Sequence, residues 1–275
     1  MVKVGIIGHT GRLGKPLFKI LEKHSKVEIV YTESKSERSK GSLQDTEVVF
    51  LALPYGEGEK YFQELEGKKI IDLSIDNRNN KDWVYGSSEL NKEQIKISTK
   101  IANPGCYATS IILALAPLKG KISEVNISST SGISGAGLSV QKEDNFLIYN
   151  EGEAHPQIDE IKNFLKLNKI LFVPQRIDTA DRGIISIIFL KYDGNENLEE
   201  LYKEFYEQCE FIRIKNNIET KNILGTNFCD IKIIRSKERV IIISALDNLI
   251  KGGSGQAVQN FNLMCGFNEK EGLVD

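Results

Sequence analysis

The chain has 275 residues, of which 27% are charged and 40% are hydrophobic, and its formal net charge at pH 7 is −2. This length allows one large domain or two modest ones, and the near balance of acidic and basic side chains argues against nucleic acid or a membrane surface as a partner. No apolar run reaches transmembrane length, and the N-terminus is typical of a strand rather than a signal peptide. We therefore expect a cytoplasmic protein.

The four cysteines, Cys106, Cys209, Cys229 and Cys265, are far apart, and none stands in a CxxC or CxxH spacing. Because a structural zinc site needs closely spaced ligands of these types, we predict no metal site. Widely separated cysteines are also typical of a reducing compartment, which agrees with the cytoplasm.

Residues 2–7 are predicted to form a buried strand that leads into a glycine-rich turn. Glycine recurs at every third position from Gly5 to Gly14, and apolar residues at helical spacing follow. In a strand–turn–helix context, small residues let the backbone approach a pyrophosphate that lies on the helix N-terminus. We therefore predict a dinucleotide site. Its expected contacts in this turn are Gly8, Thr10, Gly11, Arg12 and Leu13.

The end of the second predicted strand, residues 27–31, bears on the choice of dinucleotide. A carboxylate near this position usually binds the ribose hydroxyls of NAD, and Glu33 is close. Ser34, Lys35 and Arg38 follow, however, and hydroxyl and cationic groups suit a 2′-phosphate. We predict NADP, with Ser34 and Lys35 as contacts; the alternative is a solvated charged loop.

Further strands are predicted at residues 48–53 and 69–73, with a helix at residues 57–65 between them. This βαβαβ alternation predicts an α/β fold with a doubly wound parallel sheet. Since ligands bind outside the carboxyl ends of such strands, Pro54 is a further candidate cofactor contact.

Arg78 follows the end of the strand predicted at residues 69–73. Its planar guanidinium suits a phosphate or a carboxylate, so it is a candidate substrate contact. The alternative is a surface side chain paired with Asp76.

A lone cysteine, Cys106, follows a Pro-Gly turn at the head of an apolar run that ends at Pro117. Short strands are expected before it, at residues 83–86 and 95–101. The helical spacing of the run predicts that Cys106 lies in the first turn of a helix. Unpaired N–H groups and the helix dipole there lower the pKa of a thiol and can also hold an oxyanion. The alternative is a buried, inert cysteine.

The second half of the chain is predicted to form an α+β domain with a mainly antiparallel sheet. Strands are expected at residues 124–131, 183–192, 228–235 and 239–246, and helices at residues 158–165 and 198–209. A small-residue loop from Ser131 to Gly137 can bring the backbone close to a ligand. Its predicted cofactor contacts are Ser134 and Gly135.

A terminal helix is predicted after the Gly-Gly-Ser-Gly segment that ends at Gly255. Its polar residues Gln256, Gln259 and Asn260 are positioned to contact a nicotinamide amide, and Asn260 is the predicted cofactor contact. The alternative is that all three lie on the helix surface.

The chain contains three histidines, His9, His24 and His155. His24 is interpreted as structural, and His9, in the glycine turn, as a possible neighbour of the cofactor. His155 stands in a polar loop, where a lone histidine is commonly a surface residue. Because a candidate thiolate is present and lacks a nearer histidine, we predict that His155 is its acid/base partner.

The segment Ala102-Asn103-Pro104-Gly105-Cys106-Tyr107 resembles the active-site signature of N-acetyl-γ-glutamyl-phosphate reductases, relatives of aspartate-semialdehyde dehydrogenase. Other matching segments occur in order along nearly the whole chain. They are residues 5–14, 72–78, 85–90, 131–137, 182–183, 225–229 and 251–262.

The resemblance implies an NADP domain at residues 1–105, completed by residues 247–275, and a catalytic and oligomerisation domain at residues 106–246. It implies reduction of an acyl phosphate to an aldehyde in arginine biosynthesis, with Cys106 as nucleophile and His155 as acid/base. Asn103, Arg78 and Arg182 are the expected substrate contacts. A homo-oligomer, commonly a tetramer, is also implied.

The sequence departs from the family pattern at three places that concern the substrate, one of which is the stretch before Arg182, where Asp-Thr-Ala-Asp replaces the usual Pro-Met pair. Leu138 stands where a basic residue is usual, and the histidine box reads Ala-His-Pro-Gln rather than His-x-Pro-Glu. One alternative is the same chemistry on a carrier-bound α-aminoadipyl phosphate of lysine biosynthesis, but an acidic carrier protein would favour a basic rim at the site, and Leu138 in place of a basic residue argues against it. Alternatives of other classes are a non-catalytic NADP-binding regulator and an aldehyde-oxidising dehydrogenase.

Overall fold

The computed structural model describes residues 1–136 and 145–274, and the chain divides into two compact units. One unit contains Met1–Gly105 with Gly253–Asp275, and the other contains Cys106–Gly252. Among the described residues, no helix is both long and apolar enough to cross a membrane.

Strands and helices are numbered in chain order. The strands are β1 (Val2–Ile7), β2 (Val27–Glu33), β3 (Lys40–Gly41), β4 (Val48–Leu51), β5 (Lys69–Asp72), β6 (Val84–Tyr85), β7 (Lys100–Ala102), β8 (Glu124–Gly132), β9 (Phe146–Ile148), β10 (Lys169–Ile177), β11 (Ile184–Lys191), β12 (Ile212–Ile214), β13 (Cys229–Ser236) and β14 (Arg239–Leu246). The helices are α1 (Gly14–Glu22), α2 (Lys92–Ile97), α3 (Cys106–Leu115), α4 (Ile158–Leu165), α5 (Leu198–Phe205) and α6 (Gly255–Met264).

The sheet of the first unit has the strand order β3-β2-β1-β4-β5-β7-β6. Every pairing along it is parallel except that of β2 with β3. The chain runs outward from β1 to β2 on one side and later from β4 to β5 and β7 on the other. The prediction of a doubly wound parallel sheet is confirmed, and its topological switch point lies between β1 and β4.

Both faces of this sheet are covered, as a parallel sheet requires. Successive side chains of a strand point to opposite faces, so neighbouring residues of β1 belong to different clusters. Ile6 belongs to a buried cluster with Leu17 of α1 and Phe261 of α6. Ile7 belongs to a second cluster, against which the partly buried Tyr61 packs.

The sheet of the second unit has the order β12-β13-β14-β11-β8-β10-β9. Pairings β8–β10 and β12–β13 are parallel, and the other pairings are antiparallel. The connection from β8 to the parallel strand β10 contains α4, because a parallel pair needs a crossover. The predicted mainly antiparallel α+β architecture is confirmed, and α3 packs on this sheet against β11 and β14.

Several predicted elements of the first unit are wrong in type or extent. The helix predicted at residues 57–65 is reduced to a 3-10 turn at Glu59–Tyr61, since glycines at 56, 58 and 67 disfavour a longer helix. The strand predicted at residues 95–101 divides into the end of α2 and the short β7. Ile95 of α2 is fully buried, so its apolar character reflects helix packing rather than a strand.

In the second unit, β10 was not predicted. Its side chains alternate between exposed and buried over the first six residues, but Leu171 and Val173 are apolar on the exposed side, so the sequence shows no alternation of polarity. Pro174 within the strand also argues against a strand on sequence grounds. The helix predicted at residues 198–209 ends earlier, at Phe205.

Candidate active-site residues

Two glycines shape the turn between β1 and α1, at the topological switch point. Gly8 has φ +91°, and a Cβ there would lie 2.3 Å from the carbonyl oxygen of Ala52, which follows β4. A Cβ at Gly14 would lie 2.0 Å from the carbonyl oxygen of Gly8. Side chains at either position are therefore excluded, and the backbone stays open to a ligand at the start of α1.

The segment after β2 lies against this turn. The carbonyl oxygen of Glu33 accepts hydrogen bonds from the Gly8 N–H (2.7 Å) and from His9 Nδ1 (3.0 Å). Thr10 Oγ1 lies 2.9 Å from Ser36 Oγ, which lies 3.4 Å from Ser34 Oγ. The structure therefore brings the predicted contacts Thr10 and Ser34 together through a third hydroxyl.

The other predicted cofactor contacts of this unit differ in exposure. Gly11, Arg12 and Leu13 are partly buried, whereas Lys35 and Pro54 are exposed. Lys35 Nζ forms an ion pair with the carboxylate of Glu57. A phosphorylated dinucleotide needs hydrogen-bond donors and positive charge, and this region offers an open glycine backbone, a helix start, hydroxyl groups and a surface lysine. The residues present therefore fit a phosphorylated dinucleotide.

The Glu33 carboxylate has two tyrosine donors that sequence reasoning did not find. Tyr31 Oη donates to Glu33 Oε2 and Tyr61 Oη donates to Glu33 Oε1, each at 2.7 Å. Burial and the bond to Glu33 raise the pKa of Tyr31 to about 12, and the same causes raise the pKa of Tyr61. Both hydroxyls therefore stay protonated and act as donors. The contact with Tyr31 could have been predicted, because residues two positions apart on one strand, such as Tyr31 and Glu33, lie on the same face.

The polar side chains of α6 are buried, so the alternative that places them on the helix surface is wrong. Asn260 Nδ2 donates to the carbonyl oxygen of Gly86 (2.8 Å) and to Asn103 Oδ1 (3.0 Å). Asn103 Nδ2 in turn donates to the carbonyl oxygen of Gly253 at 3.1 Å. Gln256 contacts Gly86 in the same way, at 3.0 Å. These contacts give Asn103 and Asn260 a structural role that fixes α6 against the segment before Cys106.

Arg78 is held by backbone carbonyl oxygens of the same unit. Its Nε donates to the carbonyl oxygen of Asn103 (3.0 Å), and its Nη2 donates to that of Leu73 (3.3 Å). Asp76, considered above as its surface partner, accepts hydrogen bonds from the Gly56 N–H, the shorter at 2.9 Å. The guanidinium therefore has a fixed orientation at the end of β5.

In the second unit, Cys106 is the first residue of α3, as predicted. It is the only residue of this helix that is not buried, so the alternative of a fully buried thiol does not hold. A Cβ at Gly252 would lie 2.7 Å from the Cβ of Cys106. Gly252 therefore has to lack a side chain for Cys106 to keep its position.

His155 is buried, with 8% of its surface exposed, and the alternative of a surface histidine is wrong. Its ring packs edge-on against Tyr107 and Phe172, with centroids 5.3 Å from each. This desolvation lowers the pKa of His155 to about 4, so the imidazole is neutral near pH 7. The Gln157 N–H donates to His155 Nδ1 at 3.3 Å, which leaves the ring proton of the neutral form on Nε2.

The loop that carries His155 also contacts the helix that begins at Cys106. Gln157 Oε1 accepts a hydrogen bond from the Ala108 N–H at 2.9 Å. One of the N–H groups that a helix leaves unpaired in its first turn is thereby satisfied. The Tyr107 hydroxyl lies 3.1 Å from that of Tyr149, and burial and this neighbour raise the pKa of Tyr107.

Arg182 pairs with a buried aspartate of the second unit. Its Nη1 lies 3.3 Å from Asp247 Oδ2, which also accepts a hydrogen bond from the Gly225 N–H at 2.7 Å.

In the small-residue loop that follows β8, Ser134 Oγ accepts a hydrogen bond from Asn248 Nδ2 at 2.9 Å. Gly135 is exposed, and Leu138 lies outside the described residues.

Among the described residues, no cluster of histidine, cysteine, aspartate and glutamate has the arrangement of a metal site.

Two family models match the chain. Residues 106–248 match the model described as semialdehyde dehydrogenase, dimerisation domain. Residues 38–98 match the model described as semialdehyde dehydrogenase, NAD binding domain. The first match covers more than half of the chain.

Solved structures with low sequence identity share the fold. Aspartate semialdehyde dehydrogenase II from Vibrio cholerae superposes with a TM-score of 0.79 at 16% identity, covering 96% of this chain and 98% of that chain. Aspartate semialdehyde dehydrogenase with NADP from Candida albicans gives a TM-score of 0.73 at 18% identity, covering 96% and 99%.

Curated relatives are closer in sequence. The N-acetyl-gamma-glutamyl-phosphate reductase of Archaeoglobus fulgidus is 35% identical over 326 aligned positions, covering 99% of this chain and 98% of the relative. That of Flavobacterium johnsoniae is 36% identical over 319 positions, with the same coverage. Both alignments are longer than the 275 residues of this chain, so these relatives contain segments that it lacks. At this identity over nearly its whole length, the chain belongs to the N-acetyl-gamma-glutamyl-phosphate reductase family.

Proposed function

We propose that this protein reduces N-acetyl-γ-glutamyl phosphate to N-acetylglutamate 5-semialdehyde and phosphate, with NADPH as reductant, in arginine biosynthesis. The names of the curated relatives support this substrate. The single structural observation that carries the chemistry is a partly exposed cysteine at the first position of an otherwise buried helix, Cys106 of α3. Attack on an acyl group requires an accessible thiolate, and the start of a helix is one of the positions that favour the thiolate form.

The proposal assigns dinucleotide binding to the first unit, residues 1–105 with 253–275 rather than with 247–275, and catalysis and oligomerisation to the second unit, residues 106–252. The glycine turn, where side chains at Gly8 and Gly14 are excluded, would hold the pyrophosphate, and the hydroxyls of Thr10, Ser34 and Ser36 would face the 2′-phosphate. Lys35 is close to them in sequence and exposed. When bound, NADPH supplies the hydride that reduces the acyl carbon.

The chain's own residues would act as follows. The Cys106 thiolate attacks the acyl-phosphate carbonyl, a carbon–sulfur bond forms, and phosphate leaves. N–H groups in the first turn of α3 stabilise the oxyanion that develops on the carbonyl oxygen. The Nε2–H of His155 donates a hydrogen bond to the oxyanion of the thiohemiacetal; the electron pair of that oxygen then re-forms the carbonyl, the carbon–sulfur bond breaks, and the aldehyde and the Cys106 thiolate are released. Arg78 and Arg182 are the proposed contacts for the phosphate and carboxylate groups.

A cytoplasmic setting is part of the proposal, because the reaction needs Cys106 as a free thiol. The structure gives all four cysteines as thiols and not as disulfide partners: Cys106, Cys209, Cys229 and Cys265. A reducing compartment keeps thiols in this state.

The proposed assembly uses one face of the second sheet. Five neighbouring strands each contribute one residue to a row that lies in register across the sheet. The row consists of Leu171 on β10, Asn126 on β8, Phe189 on β11, Ile241 on β14 and Ile234 on β13. Three of these apolar side chains are exposed: Leu171 (47%), Phe189 (44%) and Ile234 (38%). A row of exposed apolar side chains marks an interaction surface, and the matched family model is described as a dimerisation domain. We propose that this row is buried in a homodimer, and that two such dimers form a tetramer.

The test is the reverse reaction, in which N-acetylglutamate 5-semialdehyde, phosphate and NADP are mixed and NADPH formation is followed at 340 nm. We expect phosphate-dependent formation with this aldehyde and little with the aminoadipate analogue. The opposite preference would favour lysine biosynthesis.

Cys106→Ser should lower the rate at least about a thousandfold and leave NADPH binding within about twofold. Substantial activity in this variant would contradict the thioester step, and binding of NADPH without any turnover in the unmodified protein would favour a regulator.

A further inference from the structure

Glu33 stands where a dinucleotide fold commonly places its ribose-binding carboxylate, at the end of the strand that follows the glycine turn. Its carbonyl oxygen accepts the Gly8 N–H at 2.7 Å, so the residue borders the turn directly. A free carboxylate here would favour NAD, because it accepts hydrogen bonds from ribose hydroxyls and repels a 2′-phosphate.

The carboxylate of Glu33 is instead held by two tyrosines. Tyr31 precedes it by two residues, so both side chains lie on the same face of β2. Tyr61 comes from the 3-10 turn that follows β4. Each hydroxyl donates to a different carboxylate oxygen at 2.7 Å. Both rings pack against the cluster that contains Ile7, on the face of the sheet opposite the cluster of α1.

These contacts fix the direction of the carboxylate. To turn toward a bound nucleotide, Glu33 would have to give up two hydrogen bonds to a charged acceptor, which are stronger than bonds between neutral groups. Both tyrosine hydroxyls are protonated donors at physiological pH, and burial together with Glu33 raises their pKa values further above the ordinary value of about 10. Beside the turn, Ser36 Oγ lies 2.9 Å from Thr10 Oγ1 and 3.4 Å from Ser34 Oγ, so three hydroxyl groups are linked there.

We propose that Tyr31 and Tyr61 determine coenzyme choice by holding the Glu33 carboxylate away from the adenine ribose, so that a 2′-phosphate is accepted at the neighbouring hydroxyls. This inference rests on the proposed NADPH-dependent function. The tyrosines act through Glu33 and are therefore positioning residues rather than catalytic ones.

The experiment measures dissociation constants for NADPH and NADH by fluorescence titration, without substrate. The variants are Tyr31→Phe/Tyr61→Phe, Glu33→Gln, and the triple combination of the three substitutions. In the double variant, the released carboxylate should lower the preference for NADPH over NADH about tenfold. In the triple variant, removal of the charge should restore the original preference. A tyrosine that merely stabilised the fold would not give rescue by Glu33→Gln.

A matched control is Tyr192→Phe, which removes a tyrosine–glutamate hydrogen bond to Glu196 in the other unit and should leave both dissociation constants unchanged. Glu33→Gln alone gives an answer even if the double variant fails to fold. With the tyrosines in place, Glu33→Gln should change the dissociation constant for NADH less than about twofold. If the Glu33 carboxylate instead bound the ribose, its loss should weaken NADH binding about tenfold.

Two results would overturn the inference: an unchanged preference in a folded double variant, or a tenfold loss of NADH affinity in Glu33→Gln. Equal affinity for NADPH and NADH in the unmodified protein, or binding of neither, would instead contradict the proposed function.

Discussion

Gln157 Oε1 accepts the Ala108 N–H at 2.9 Å, so the loop that carries His155 caps the first turn of the helix that begins at Cys106. The same residue donates its own N–H to His155 Nδ1. Gln157 therefore links the two proposed catalytic side chains, and it does so without adding a charge next to the thiol.

Gln157→Glu should make the Cys106 thiol less reactive near neutral pH. A carboxylate at the same place keeps the hydrogen bond to Ala108 but adds negative charge close to the sulfur, which disfavours the thiolate. We expect the midpoint of iodoacetamide alkylation of Cys106, measured against pH, to move up by about 1 unit. Tyr107 and Tyr149 also lie near the thiol, and burial raises the pKa of each.

Gln157→Met is the matched control for this substitution, because it removes the hydrogen bond without adding a charge. It should reduce stability by about 1 kcal/mol, as expected for a lost cap, and move the alkylation midpoint less than the glutamate does. Equal midpoints in both variants would show that charge at residue 157 does not reach Cys106.

The buried His155 should make stability depend on pH between its two pKa values. Its pKa is about 4 in the folded protein because burial disfavours the cation, and an exposed histidine has a pKa of about 6.5. As the pH falls through this window, the unfolded chain binds a proton that the folded chain does not, so stability is lost. The full effect is at most about 3.5 kcal/mol.

Urea denaturation at several pH values measures this effect, with His155→Gln as the reference that removes the ionisable group. The free energy of unfolding should fall more steeply for the unmodified protein than for the variant between about pH 6.5 and 4. Parallel curves would mean that the imidazole is charged or solvated in the folded state.

Sequence patterns predicted those structural elements that are determined by residues close together along the chain. The glycine spacing indicated the turn at Gly8, and the apolar period after Cys106 indicated α3. What the sequence could not supply were partners distant along the chain. Asn260 is buried because Asn103, 157 positions away, satisfies its amide. Glu33 is held by Tyr61, which is 28 positions away, and His155 is buried by the edge of Phe172, whose strand β10 the sequence did not reveal.

Gly252→Ala should displace the nucleophile. The added Cβ would lie 2.7 Å from the Cβ of Cys106 and 3.1 Å from its Cα, so the backbone of one segment must shift. Such overpacking costs about 1–3 kcal/mol, and a shift of the sulfur should lower the turnover number more than it raises KM. The control is Gly58→Ala, where the nearest atom to the added Cβ is a leucine methyl carbon at 3.7 Å.

Both glycine variants are compared by thermal unfolding and by the reverse reaction. If Gly252→Ala retains the stability and the turnover number of the control, the contact between Gly252 and Cys106 has no role in placing the thiol.

Phe189→Glu should prevent association through the second sheet. Phe189 lies in the centre of the in-register row, flanked by Asn126 on β8 and Ile241 on β14. A charge buried against the same row of a second copy would lack a partner, which is strongly unfavourable. Because the side chain is 44% exposed within one chain, the substitution should cost the isolated chain little stability.

Sedimentation velocity measures the assembly directly. The unmodified protein should sediment as a dimer or a tetramer, and Phe189→Glu should sediment at half that mass or less. Lys191→Glu is the matched control, since it changes an exposed residue two positions along the same strand but replaces a side chain that is already charged. An unchanged sedimentation coefficient in Phe189→Glu would place the interface on another surface of the protein.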